Sequence, residues 1–172
     1  MVCITYKQEY LSPLGNITLA SDGENLIGLW FEGQKNYGST LSELCFQKNL
    51  KIFEQTKHWL DLYFSGESPD FFPEIKFIGS NFRILVWKIL LTIPYGQVVT
   101  YGEITQQLQK ITGKKVSAQA VGGAVGHNPI SILIPCHRVV ARDGSLTGYA
   151  AGLEKKQWLL FLENEKKNVI DA

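Results

Sequence analysis

The chain has 172 residues, 45% of them hydrophobic and 19% charged, with a formal net charge of +1. That composition gives a globular protein enough apolar material for a core and excludes a low-complexity or fibrous chain. No stretch approaches the roughly 18 apolar residues of a membrane span. The segment from Met1 to Tyr10, with Lys7 and Glu9, lacks the apolar core of a signal peptide, so the expected location is intracellular, in the cytoplasm.

In chain order, Ile17 to Ala20 and Ile27 to Phe31 read as short strands, with Asp22-Gly23 as the turn between them. Lys51 to Phe64 reads as a helix with Ile52, Phe53, Trp59, Leu60 and Tyr63 on or near one face, stopped by Ser65-Gly66. The proline-bounded Ser68 to Pro73 marks a domain boundary, giving domains over residues 1–76 and 77–172. Ser80 or Asn81 can cap the next helix, whose apolar residues Phe82, Leu85, Val86, Ile89, Leu90 and Ile93 repeat at helical spacing up to Pro94. Thr100 to Glu103 has the form of a capping box, and Ser117 can cap a third helix to about Gly126. That third helix is rich in small residues. The pair Gly122-Gly123 costs it stability and implies a close approach to its backbone.

Arg138 to Thr147 reads as a hairpin with a basic, glycine-containing tip, and a last helix runs from Leu153 to about Lys167 with Trp158, Leu159, Leu160 and Phe161 for the core. Helix, helix, small-residue helix and hairpin follow the order of a winged helix-turn-helix; a plain α+β domain fits the same pattern. Charge is uneven, −4 over residues 1–79 and +5 over residues 80–172, which points to a polyanion meeting the second half. The three cysteines, Cys3, Cys45 and Cys136, have neither the even count of a disulfide framework nor C-x-x-C spacing for zinc. No metal and no cofactor are expected. Cys136 has His137 beside it. The pair is the raw material of a nucleophilic thiol, and equally of a packed core.

Pro135-Cys136-His137-Arg138-Val139 resembles the signature of the O6-alkylguanine-DNA alkyltransferases. Its surroundings match too: Pro94-Tyr95-Gly96, Thr100-Tyr101-Gly102, Ala120 to Ala124, Asn128-Pro129, Gly148-Tyr149 and Gly152-Leu153. A weaker match at Ser12 to Gly15 and Gly28 to Glu32 extends it through the first half.

The resemblance implies an α+β protein, a small RNase H-like domain followed by a winged helix-turn-helix domain. It implies a monomer that acts on double-stranded DNA containing O6-alkylguanine, with no membrane partner. Cys136 would take the alkyl group, once per molecule. His137 would remove the thiol proton through a water, and Glu163 would orient that histidine, which is triad logic with a cysteine. Tyr101 would donate to N3 of the departing guanine. Asn128 would hold the turn that positions Cys136. Tyr149 would wall the base pocket, with backbone groups at Cys136, Val139 and Ala150 reading the guanine edge and Lys156 near the active-site loops. Gln119, Ala120, Gly122, Gly123 and Arg138 would face DNA. Gln119 departs from the family's usual arginine, and Ala150 from its frequent serine. Two rivals differ in stoichiometry: a cysteine hydrolase would turn over, and a damage sensor would bind without being modified.

Overall fold

The protein, a computed structural model, is described for residues 2–171, with side chains as far as Glu165. Its chain falls into two compact units. One comprises residues 2–78 together with Pro129–Ser131, the other Gly79–Asn128 and residues 132–171.

The first unit is a four-stranded sheet of order β3-β2-β1-β4, with one helix. Strands β1 (Ile4–Ser12), β2 (Gly15–Ser21) and β3 (Leu26–Phe31) form an antiparallel meander, and β4 (Leu44–Gln47) lies parallel to β1. Strands β1 and β4 are absent from the sequence reading. Strand β1 carries Lys7, Gln8 and Glu9 in its middle and β4 is mostly exposed, so neither shows the apolar run of a buried strand. The turn between β2 and β3 is wider than Asp22-Gly23 alone: the Asp22 carboxylate accepts from the backbone of Glu24 and Asn25.

All six residues of β3 are buried, although it ends the four-stranded ladder. Its outer edge is closed by chain: Leu26 exchanges hydrogen bonds with Glu74 and Lys76, and Leu29 with Pro129 and Ser131. Such cover removes the exposed donors and acceptors of an edge strand. Helix α1 (Lys51–Phe64) packs on β1 and β2 and buries all five residues expected of it.

The second unit holds the other four helices. Helix α2 (Asn81–Leu90) is capped by the Ser80 hydroxyl, which accepts from Arg83 N. It ends at Leu90, ahead of Pro94. A two-residue strand β5 (Val99–Thr100) leads into α3 (Tyr101–Thr112), where the Thr100/Glu103 capping box is formed at both ends and Gly113 closes the helix with φ 67°. Helix α4 (Ala118–Gly126) starts at the Ser117 cap and packs against α2 and α3. Trp87 of α2 is buried, and its indole N–H donates to Ala124 O at 2.9 Å, which fixes α2 to α4. A single 3-10 turn, Cys136–Arg138, precedes strand β6 (Val139–Val140), and α5 (Leu153–Asp171) completes the chain.

Two expectations need correction. The hairpin after Arg138 has no second strand. Val139 and Val140 pair in parallel with Val99 and Thr100, and residues 141–145 close a turn through Ala141 N to Ser145 O at 3.0 Å. The carbonyls of Thr147 and Gly148 accept from the Lys156 ammonium, and Gly148 has φ 61°, which takes this stretch out of the strand region. On α5, Leu159 is buried while Phe161 is 62% exposed. Four consecutive residues sweep most of a helical turn, so they cannot share one face.

Glycine is required at Gly28 by packing. A Cβ there would lie 2.1 Å from Cη2 of Trp30, whose buried ring lies over it. Gly28→Ala is expected to destabilise the protein by about 2 kcal/mol or more in urea unfolding. Unchanged stability would mean that the Trp30 ring can move aside freely.

Candidate active site

The turn that carries Cys136 is built by overlapping hydrogen bonds. Ile132 holds φ 71° while 1% exposed, a left-handed conformation that a β-branched residue rarely adopts. Strain of about 1–3 kcal/mol persists at such positions only where the surroundings enforce it. Pro135 then sits at φ −81° and ψ 63°, the centre of an inverse γ-turn in which Cys136 N donates to Ile134 O at 2.8 Å. The same carbonyl accepts from the Asn128 side-chain amide at 2.7 Å. Arg138 N donates to Pro135 O and Val139 N to Cys136 O, which closes the 3-10 turn. Asn128 thus fastens the Cys136 turn through Ile134 O. The N–H groups of Cys136 and Val139 are both used within the turn, which leaves their carbonyls as the backbone groups a base edge could meet.

Cys136 is 5% exposed. Burial pushes its thiol up from the ordinary value, while a hydrogen bond with the Asn128 side chain and the charge of Lys156 pull it down. The resting group is therefore the protonated thiol, which needs a base before it can act as a nucleophile.

His137 is completely buried, and its Nε2 lies 2.6 Å from Oε2 of Glu163. Glu163 also accepts from Nε of Arg138 at 2.8 Å, from a terminal nitrogen of the same guanidinium at 3.2 Å, and from Gly96 N at 3.2 Å. Although burial opposes its charge, these donors hold the carboxyl far below the usual carboxylate range. An ionised carboxylate can only accept, so Nε2 of His137 carries a hydrogen. Burial lowers the His137 pKa, and Arg138 and Lys156 oppose a third cation, so the ring is neutral despite its carboxylate partner. In that tautomer Nδ1 bears the lone pair, the form a general base requires.

Tyr101, at the start of α3, donates its hydroxyl to Thr147 O at 3.2 Å and lies within electrostatic reach of Cys136. Burial raises its pKa, which keeps it a donor. Lys156 is fully buried, with its ammonium on the carbonyls of Val139 (2.6 Å), Thr147 (3.2 Å) and Gly148 (3.1 Å). It ties β6 and the following loop to α5, which the sequence expresses only as nearness to that loop. Tyr149 and Ala150 are half-buried in the turn before α5, where Gly152 N donates to Tyr149 O.

The residues expected to face outward divide. Gln119, Ala120 and Gly123 are exposed on α4, Gly122 is half-buried, and a Cβ on either glycine would meet nothing within 4 Å. Packing within the chain therefore does not require these glycines, and α4 has no charged residue at all. Arg138 is the correction: it is 9% exposed, and its guanidinium is committed to Glu163 and to Ile93 O at 2.7 Å instead of facing out. Sequence reading also missed Gly96, whose φ of 79° belongs to the turn that aims its N–H at Glu163. The Pro94-Tyr95-Gly96 turn signature was the available clue. His127 and His58 are exposed, His127 against Gly123 O and His58 stacked on Phe71. Among the described residues, no three metal-ligating side chains converge, and no helix is long and apolar enough to cross a membrane.

The neutral state of His137 has a sign that unfolding can read. Unfolded, its imidazole takes up a proton near pH ~6.5, and in the fold it resists doing so. Acidification therefore favours the unfolded chain, and stability is lost progressively below about pH 6.5. The urea midpoint is expected to fall between about pH 7.5 and about pH 5.5, and His137→Gln is expected to flatten that slope. A midpoint that rises on acidification would contradict a neutral ring.

Comparison with known proteins gives concordant results. Residues 5–76 match the family model described as 6-O-methylguanine DNA methyltransferase, ribonuclease-like domain, and residues 81–165 the model described as its DNA binding domain. A methylated-DNA–protein-cysteine methyltransferase of Mycolicibacterium paratuberculosis is 43% identical over 152 residues, 88% of each chain. One from Methanosarcina acetivorans is 40% identical over 159 residues, 92% of this chain and 97% of its own. The crystal structure of Mycobacterium tuberculosis OGT in complex with DNA shares the fold with a TM-score of 0.80 at 39% identity, covering 95% of this chain and 94% of that one.

Proposed function

Because the chain belongs to the methylated-DNA–protein-cysteine methyltransferase family, we propose that it repairs O6-alkylguanine in double-stranded DNA by moving the alkyl group, irreversibly, onto Cys136. The observation that carries this reading is His137, with Nε2 2.6 Å from the Glu163 carboxylate, beside a buried thiol on one hydrogen-bonded turn.

The chemistry balances as follows. The Cys136 thiol gives its proton, through a water, to Nδ1 of His137. The sulfur attacks the alkyl carbon, so a C–S bond forms as the C–O6 bond breaks. The electron pair goes to the guanine ring, where the Tyr101 hydroxyl, leaving Thr147 O, donates a hydrogen bond to N3. The proton held on His137 finally restores a neutral guanine. A thioether does not hydrolyse, so each molecule acts once. O6 lies inside the duplex, and the nucleotide must therefore be flipped out to reach a thiol that is itself nearly buried. The uncharged, small-residue face of α4 supports close contact with a groove. All of these side chains come from a single copy, so a monomer suffices.

Incubation with duplex DNA containing O6-methylguanine is expected to leave one methyl group per protein on Cys136, seen by mass spectrometry, and none on Cys136→Ser. Continued turnover would favour a hydrolase instead, and damage-specific binding without modification a sensor.

Gln119 stands exposed on α4 where the family usually has arginine. It can hydrogen-bond an orphaned cytosine but brings no charge to the duplex. Gln119→Arg is expected to speed transfer from duplex DNA several-fold and leave transfer from free O6-benzylguanine unchanged. An equal effect on both substrates, or none on DNA, would contradict this role.

A further inference from the structure

We propose that Arg138 is a positioning residue that keeps His137 neutral, by neutralising the carboxylate the two residues share. This rests on the alkyl-transfer reading above. The geometry is that of a clamp. Nε of Arg138 lies 2.8 Å from Oε1 of Glu163 and its terminal nitrogen 3.2 Å from Oε2, the two-pronged match of a guanidinium to a carboxylate. The remaining prong donates to Ile93 O at 2.7 Å, and the Tyr95 ring lies 5.7 Å from the guanidinium carbon. His137 meets the same Oε2 at 2.6 Å. One carboxylate, 1% exposed, thus faces a permanent cation and a titratable ring.

The charged and titratable groups around His137 are Glu163 and Lys156 from α5, Arg138 and Cys136 from its own turn, and Tyr95 from the segment before β5. Burial and the Glu163 charge raise the Tyr95 pKa to about 12, against the pull of Arg138, so that hydroxyl stays neutral. With Arg138 in place the buried charges are two cations and one anion, and a protonated His137 would add a third cation. Without Arg138, Glu163 would lack its permanent partner, and protonating His137 would supply the nearest replacement. A buried carboxylate deprived of its cation imposes such a substitution. His137 would then be charged at neutral pH and unable to take the thiol proton. Arg138 therefore separates the two tasks of Glu163: the carboxylate can orient the imidazole without charging it.

The test is the pH dependence of methyl transfer to Cys136 from duplex O6-methylguanine DNA. In Arg138→Met the acidic limb is expected to move up by at least about one pH unit. Transfer at about pH 6 then falls ten-fold or more below wild type, while at about pH 8.5 it stays within roughly three-fold. Arg138→Gln removes the charge but keeps hydrogen-bonding groups; it is expected to show the same displacement and carries the test if Arg138→Met does not fold. Arg138→Lys, which keeps the charge, is expected to keep the wild-type limb. A uniform loss of rate in Met and Gln with the limb unmoved would overturn the proposal. A wild-type protein that transfers no methyl group at any pH would instead overturn the alkyl-transfer reading itself.

Discussion

A buried carboxylate needs its charge answered, and Glu163 is answered by His137, by both prongs of Arg138 and by the backbone of Gly96. Much of the second unit converges on that constraint. The Gly96 turn, the 3-10 turn of Cys136–Arg138 and helix α5 are distant in sequence, and one side chain from α5 fastens the other two. Such an arrangement stabilises little on its own account, because desolvating the ions offsets most of their attraction. Removing one partner is a different matter, since it strands the others. The network is better understood as a device that specifies one geometry and one protonation pattern than as a source of folding energy.

The reactive pair follows from that pattern. Cys136 is held protonated by burial, and His137 is held neutral with its lone pair on Nδ1. Neither is active alone in this resting state. Lys156 lies fully buried on three carbonyls, and its charge favours a thiolate at Cys136. In the proposed reaction, a thiol nearly closed off from solvent and activated only as its proton leaves for a neutral base would suit a nucleophile that is used once. Premature oxidation or alkylation would waste the molecule, and thiol protonation and burial both protect against it.

The helices were legible because their signals are local: Ser80, Thr100 and Ser117 each cap the helix they precede. Much of the sheet was not. Strand β1 has a polar middle, and β4 is mostly exposed, so their pairing depends on partners far along the chain. For the site, the Cys136-His137 pair is visible in the residues themselves, Asn128 and Glu163 only through the resemblance, and the geometry brings the four together. Arg138 departs from the ordinary expectation, which is an exposed cation beside a DNA-binding element. Only the fold reveals that Glu163, twenty-five positions on, turns it inward. The stretch expected to form a wing departs from expectation for a related reason. A turn signature at residues 142–145 says nothing of Lys156 claiming the carbonyls that follow.

Glu163, paired with Arg138, orients His137 without protonating it. Nitrogen-15 NMR of the imidazoles in wild-type protein measures this directly. Near pH 7 the His137 ring is expected to show one protonated nitrogen, Nε2, and one bearing no hydrogen, Nδ1. Two protonated nitrogens at that pH, or a hydrogen on Nδ1 with Nε2 bare, would contradict it.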